Sequence, residues 1–318
     1  MSKKIENLIT GFDLLSQPKP KVTWLVDKKL PCGTLTALVG ESGVGKSTFL
    51  RQLALSIITK ESAFLGSQLN VKHGKVLYIS TEDGRIATYN SLCKQLGYTD
   101  EMFDEHDMLI KNDPILHNIF FLFDYENIEY SIRTLLETHS LDLVIIDAYS
   151  DVFGEEMNQS NQVRKFLTEY TKLADEFAFT TIFMHHFGKS MRAKAKDRIL
   201  GSVGFEQKMR SILSLEFKNN QTHLKVIKGN YINKNDSDCI DILELSDDLL
   251  FTKIGSFDSG AERAPKRTKL DILLEDHHEV LIEVQNGNLS YKDAIELLND
   301  LDLSVSDGTI SKAIKRLE

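Results

Sequence analysis

Eight consecutive residues, Gly40-Glu41-Ser42-Gly43-Val44-Gly45-Lys46-Ser47, constrain this chain more than any others. They stand between an apolar, β-branched run at 35–39 and a stretch of helical periodicity at 47–59. Glycines at this spacing let successive backbone N–H groups turn into one concavity, and the helix that follows adds the partial positive charge of its N-terminus. Strand, glycine-rich loop and helix in that order make a phosphate cradle. On this reading residues Glu41 to Thr48 hold the phosphates of ATP. Lys46 reaches the β- and γ-phosphates, and the Ser47 hydroxyl ligates Mg²⁺.

The rest of the chain repeats the alternation that the loop demands. Short apolar runs at 76–80, 119–123, 143–147 and 181–185 read as strands. Stretches at 85–96, 128–138 and 161–177 read as helices. Such β-α alternation gives an α/β fold, a central parallel sheet with helices on both faces. After residue 200 the runs at 211–217, 223–227 and 240–245 are joined by polar turns, which predicts antiparallel strands added at the sheet edge. Residues 1–30 read as a lead-in segment, with Gln17-Pro18-Lys19-Pro20 marking a turn. The expected organisation is a core over 1–257, a linker over 258–267 and a small helical unit over 268–318.

Composition narrows the classes. Of 318 residues, 42% are apolar and 27% charged, ordinary for a globular protein. No apolar run approaches the ~18 residues of a membrane span, and no signal core follows the N-terminal lysines, so the expected setting is the cytoplasm, with no membrane partner. The cysteines, Cys32, Cys93 and Cys239, have no metal-ligand spacing and are expected as buried small residues. A net charge of −9 argues against a chain coated in nucleic acid but not against a local basic channel. The acidic stretch 98–107 reads as a solvated face.

Three strand ends carry polar groups suited to phosphate chemistry. The run Leu143-Val144-Ile145-Ile146-Asp147 puts a carboxylate where it can hold the Mg²⁺ shell, although a strand-terminal Asp is often a turn residue. Ser80-Thr81-Glu82-Asp83 ends another run with two acids. Glu82, which follows the strand more closely, is the better group to polarise an attacking water, and an exposed acidic turn is the alternative. Met184-His185-His186 offers two histidines to a γ-phosphate or its attacking water. Two structural histidines are the other reading, and zinc lacks further ligands nearby. Residues 189–198, Lys189-Ser190-Met191-Arg192-Ala193-Lys194-Ala195-Lys196-Asp197-Arg198, carry five bases and one acid. Such a loop either follows a nucleic-acid backbone or is simply solvated.

Taken together these segments resemble the RecA-type hexameric replicative helicases of plasmids, the RepA-like ATPases. The resemblance covers roughly residues 20–245. It rests on the phosphate loop, Ser80-Thr81-Glu82-Asp83, Ile146-Asp147-Ala148-Tyr149-Ser150-Asp151-Val152-Phe153, Asn158-Gln159-Ser160-Asn161-Gln162, His185-His186-Phe187-Gly188-Lys189, Gly201-Ser202 and Arg210, in that order. It implies a RecA-like P-loop core that hydrolyses ATP with Mg²⁺ in a homo-oligomer, most often a hexameric ring, on single-stranded DNA. Carried over by position, Lys46 and Ser47 meet phosphate and Mg²⁺, Glu82 is the catalytic carboxylate and Asp147 lies at the metal. His186 becomes the γ-phosphate sensor, Arg210 an arginine finger for the neighbouring subunit's ATP, and Lys228 a second trans-acting cation. The chain departs from the family at Glu41-Ser42, where such helicases often carry Pro or a further Gly.

The C-terminal unit lies outside that resemblance. Ser290 and Asp293 frame a helix start, and residues 308–317 form a second helix with Lys312, Lys315 and Arg316 along it. The pattern is that of a helix-turn-helix or a winged-helix start. Residues 262–318 are net acidic, so docking of a replication partner and contact with DNA both stay open. The expected activity is that of an ATP-driven DNA motor, a ring-forming replicative helicase. A regulatory or recombinase-like ATPase on the same core, or a nucleotide switch in a larger assembly, is the rival.

Overall fold

The computed structural model describes residues 9–19, 21–98, 113–124, 126–154, 159–186, 203–258, 268–301 and 303–317. The basic loop 189–198, the Gly201-Ser202 turn, nearly all of the acidic stretch 98–107 and nearly all of the expected linker lie outside the described residues. The chain divides into two compact units, Met1–Asp258 and Ser259–Glu318.

In the first unit, α1 (Gly11–Ser16) precedes a hairpin of β1 (Trp24–Val26) and β2 (Leu30–Pro31). The hairpin corrects the lead-in expectation. Leu25, Val26 and Leu30 are each only 1% exposed and pack into the main core. Next come β3 (Leu35–Gly40), α2 (Lys46–Ile58), a two-strand ribbon of β4 (Ala63–Phe64) and β5 (Ser67–Gln68), β6 (Val76–Ser80) and α3 (Arg85–Leu96). The chain continues through β7 (Ile119–Leu122), α4 (Ile128–Leu136), β8 (Leu143–Asp147), α5 (Tyr149–Phe153), α6 (Ser160–Phe177), β9 (Thr180–His186) and α7 (Val203–Lys208). It closes with β10 (Ser211–Lys218), β11 (Gln221–Gly229), α8 (Lys234–Asp238), β12 (Cys239–Leu245) and β13 (Phe251–Asp258).

Nine strands form one sheet in the order β13-β12-β11-β10-β3-β9-β8-β6-β7. The six from β10 to β7 are parallel, and β11 to β13 continue antiparallel at one edge. The central strands β3, β6 and β8 are buried along their whole length, as strands covered on both faces must be. The period-2 alternation then sorts their side chains into two cores. Leu38, Tyr78, Ile145 and Met184 face α2, whereas Val39, Ile79, Ile146 and Phe183 face α4, α6 and α7.

Two polar devices secure this frame. Asp142, just before β8, accepts backbone N–H groups from Lys72, His73, Gly74 and Lys75, which fixes the turn into β6. The amide of Gln52 on α2 pairs with the backbone of Phe251 in both directions, at 2.9 and 2.7 Å, and so ties the far edge strand to α2. The cysteines differ from expectation: Cys32 and Cys93 are half-buried and Cys239 is exposed. Among the described residues, no helix is long and apolar enough to cross a membrane.

The second unit contains α9 (Lys269–Asp276), α10 (His278–Gln285), α11 (Tyr291–Asp300) and α12 (Asp307–Leu317) around a small core of its own. Ser290 caps α11 by accepting the Asp293 N–H at 3.2 Å. The Asp293 carboxylate answers the Ser290 hydroxyl, at 2.6 Å.

Candidate functional site

The site is built where β3 hands over to α2. Gly43 and Gly45 adopt φ of +77° and +90°, the left-handed backbone that glycine tolerates. A Cβ on Gly45 would come within 2.8 Å of the Phe251 ring, and one on Gly40 would collide with the Leu215 carbonyl. The first helical bond of α2 runs from Phe49 N–H to the Gly45 carbonyl at 2.9 Å. The N–H groups of Lys46, Ser47 and Thr48 therefore have no acceptor within the helix. They face a cavity of about 240 Å³ lined by Ser42, Gly43, Lys46, Ser47, Glu82 and His186. A larger cavity of about 700 Å³, walled by Phe217, Thr222, Leu243 and Ile254, adjoins the loop on the side of the antiparallel strands.

Lys46 is buried, with its amine on the Glu41 carbonyl at 2.7 Å and the Gly40 carbonyl at 3.2 Å. Burial lowers its pKa, opposed by the negative charges of Glu82, Asp147 and Glu41. The same amine lies 3.3 Å from Nδ1 of His186, whose Nε2 is 2.8 Å from a Glu82 carboxylate oxygen. An ammonium only donates, so Nδ1 accepts and Nε2 carries the proton given to Glu82. Lys46, His186 and Glu82, from three different elements, thus form one hydrogen-bonded line.

Strand parity decides between the two histidines. His186 shares the α2 face of β9 with Met184. His185 points to the other core, where its ring meets those of Tyr149 and Phe205, each at 5.2 Å. Among the described residues no three His, Cys, Asp or Glu side chains gather as a metal cage, so the zinc alternative has no set of ligands there.

Asp147 is on the α2 face of β8 and is 2% exposed. One carboxylate oxygen accepts the Tyr78 hydroxyl at 2.5 Å, while Oδ1 has no partner among the described residues. Burial raises its pKa, and the hydroxyls of Tyr78 and nearby Ser47 act against that rise. A buried oxygen without a partner beside a serine hydroxyl suits a hard cation with oxygen ligands, and the N–H cradle suits phosphate. The residues present therefore fit a Mg²⁺–nucleotide.

Other side chains complete the site in ways the sequence did not announce. The Thr81 hydroxyl reaches the Asp147 carbonyl at 3.0 Å and Asp151 at 2.7 Å, and accepts the Ala148 N–H at 2.9 Å. It fastens the turn bearing Glu82 to the end of β8. Asp83 pairs with Arg51 of α2 at 2.8 Å, which accounts for the second acid of that turn as a structural partner. Gln95 of α3 donates to the carbonyls of Thr48 and Leu249, at 3.0 and 2.9 Å. Tyr78 carried one usable signal, since a phenol in a buried strand must find an acceptor. Thr81 carried none.

Arg210 and Lys228 lie elsewhere. Arg210 donates its backbone N–H to Leu35 at 2.8 Å, at the opposite end of β3 from Gly40. Five residues of strand, about 16 Å, separate it from its own phosphate loop. Its side chain is exposed. The Lys228 amine sits beside it, donating to the carbonyls of Met209, at 2.8 Å, and Glu206.

The AAA_25 family model, an AAA domain, matches residues 3–192. The chain belongs to this AAA domain family. It is a RecA-type P-loop ATPase, and that class implies use of nucleotide and Mg²⁺. DNA repair protein RadA of Chlamydia muridarum is 27% identical over 163 residues, covering 50% of this chain and 29% of RadA. DNA repair protein rhp57 of Schizosaccharomyces pombe is 28% identical over 144 residues, covering 43% of this chain and 38% of rhp57. The chain thus spans about a third of the length of these curated relatives.

Proposed function

We propose that this ATPase is a DNA motor assembled as a ring of identical subunits, a replicative helicase of the RepA-like kind from a plasmid, phage or other mobile element. The observation that carries this reading is the split of the charged groups between two ends of the sheet. Lys46, Ser47, Asp147, Glu82 and His186 converge at one end. Arg210, about 16 Å away along β3, is too far to serve its own site. A neighbouring copy would bring it to the phosphates, where a cation offsets the charge that develops in phosphoryl transfer.

Within one subunit the roles divide by chemistry. The loop from Glu41 to Thr48 binds phosphate through its N–H groups, and Lys46 exchanges its loop carbonyls for phosphate oxygens. Ser47 and Asp147 hold Mg²⁺, which when bound neutralises phosphate charge. Glu82 orients the attacking water, and His186 links Glu82 to Lys46, so that occupancy at one is felt at the other. Lys228 anchors the segment bearing Arg210. The loop 189–198 supplies cations that follow single-stranded DNA.

The test mixes two inactive proteins. Arg210→Ala should bind ATP nearly normally and lose turnover by roughly the 10³–10⁵ of arginine fingers elsewhere. Mixed with Lys46→Ala, it should regain activity, because some interfaces then pair an intact loop with an intact Arg210. No rescue in samples shown to co-assemble sinks the trans assignment and the ring with it. The two DNA repair relatives favour a second reading, a recombinase-like filament on the same core. Negative-stain images of rings or filaments, and a strand-displacement assay, separate the two.

A further inference from the structure

The second unit carries its charge unevenly. Helices α9, α10 and α11 together hold two bases, Lys269 and Lys292, against eight acids. The last helix, α12, reverses this, with Lys312, Lys315 and Arg316 against Asp307 alone. A net acidic count over the unit therefore conceals one basic face.

Helical geometry sets where that face points. Ile310, Ala313 and Ile314 are buried in the unit's core. At 100° per residue, Gly308, Lys312 and Lys315 fall on the opposite side, with Ser311 and Arg316 flanking them. Gly308, Lys312, Lys315 and Arg316 are all exposed. The face is graded along its length, with Gly308 and Ser311 leaving little bulk near the N-terminus and cations crowding the C-terminal half. Nothing among the described residues of the unit requires the glycine. A Cβ there would meet only the Ser306 hydroxyl, at 3.9 Å, and a helical glycine costs about 0.5–1 kcal/mol against alanine.

The start of α12 is held firmly. The Ser306 carbonyl accepts the N–H groups of Thr309 and Ile310, at 2.8 and 3.1 Å, and its hydroxyl meets that of Thr309 at 3.0 Å. Lys269 of α9 donates to the Ser304 carbonyl, which fixes the approach to the helix. A rigid second helix, slender at its N-terminal half and cationic beyond, matches the helix that enters the major groove in helix-turn-helix proteins.

We propose that the exposed face of α12 docks on duplex DNA, with Gly308 and Ser311 toward the groove and Lys312, Lys315 and Arg316 on the phosphates. This face belongs to the second unit, and its docking does not rest on how the ATPase works. The phosphate backbone is a dense line of negative charge, which suits the cations of α12 and not the acid-rich helices α9–α11.

The test uses the full chain with all three cations replaced, Lys312→Ala, Lys315→Ala and Arg316→Ala together. Fluorescence anisotropy on a blunt duplex of about two helical turns is followed through a salt titration. The affinity should fall by about tenfold or more at low salt, and the slope of log affinity against log salt should shrink by about 2 to 3, near 0.9 per lost phosphate contact. ATP turnover without DNA should be unchanged, which shows the ATPase unit intact whether or not its proposed ring is correct. A second variant, Gly308→Gln, should weaken the duplex complex at an unchanged slope, because it adds bulk and no charge. If wild type shows no duplex binding, or the triple variant keeps wild-type affinity and slope, the proposal is overturned. A triple variant that differs only in sedimentation makes the face a protein contact and overturns it equally.

Discussion

Strand β8 has a buried carboxylate at each end, and the two should respond to amidation in opposite directions. Asp142 is fully engaged. Oδ1 accepts the Lys72 N–H at 2.9 Å, Oδ2 accepts the Gly74 N–H at 2.5 Å, and His73 contacts both. In Asp142→Asn one oxygen becomes an NH₂ that faces these donors. At least one charge-assisted bond, worth about 1.5–3 kcal/mol, is lost, and the bonds that remain are to a neutral acceptor. The expected loss is about 2–4 kcal/mol. Asp147 is the reverse case, buried with Oδ1 unpartnered. Asp147→Asn should stabilise the protein by about 0.5–2 kcal/mol while abolishing turnover. The sign follows from its raised pKa. The native carboxyl holds its proton to higher pH than the unfolded one, so ionising it in the folded protein costs stability as pH rises through the native pKa. Wild type and Asp147→Asn should therefore converge in acid, below the ordinary 3.8, and separate toward neutrality. The chain's single tryptophan is Trp24, whose carbonyl accepts the Asn70 side-chain amide at 3.0 Å. Its fluorescence reports unfolding of the first unit alone. In urea without Mg²⁺, with a slope of about 3 kcal/mol per molar, Asp142→Asn should lower the midpoint by about 1 M, and Asp147→Asn should raise it by a few tenths. An unmoved midpoint for Asp142→Asn, or a lowered one for Asp147→Asn at neutral pH, would refute this accounting of satisfied and unsatisfied oxygens.

Two further outcomes are expected. Glu82→Gln keeps an acceptor for the His186 N–H, so calorimetric ATP affinity should hold within about threefold while turnover falls by at least about 10², the scale of a lost general base. An equal loss of both would make Glu82 structural. Burial alone would raise the pKa of Asp241, but Lys253 and Lys29 at 2.7 and 3.0 Å, with Ser256, outweigh it and the net shift is downward. Asp241→Asn should then cost about 3 kcal/mol at pH 7. That stability is present above the ordinary 3.8 and is lost as pH falls through the lower native pKa, so variant and wild type should meet in strong acid.

The buried strands were legible because two covered faces demand an apolar run, and Val76–Ser80 and Leu143–Asp147 are apolar up to a polar last residue and match β6 and β8 residue for residue. The edge strand β13 was not, because its half-buried positions include Lys253 and Gly255 while an apolar residue, Ile254, stands among its exposed ones. The hairpin at Trp24–Pro31 hid for a similar reason: strands of three and two residues show no period. Glu82 and His186 were named from the sequence as separate groups, but their bond was invisible, since it depends on β6 and β9 lying on either side of β8. Asp83 shows the converse. An acid beside a strand end looks the same in sequence whether it faces a ligand or, as here, Arg51.

The seating of Phe251 against Gly45, fastened by the Gln52 clamp, also sets a clock on synthesis. The clamp joins residues 199 apart in the chain. At about 5–20 residues per second, some 10–40 s pass between the emergence of the phosphate loop and that of the strand that supports it. During that interval the loop has its glycines and its lysine but not the aromatic ring that packs against Gly45. A nascent chain therefore gains the aromatic support behind Gly45 only once β13 has been made.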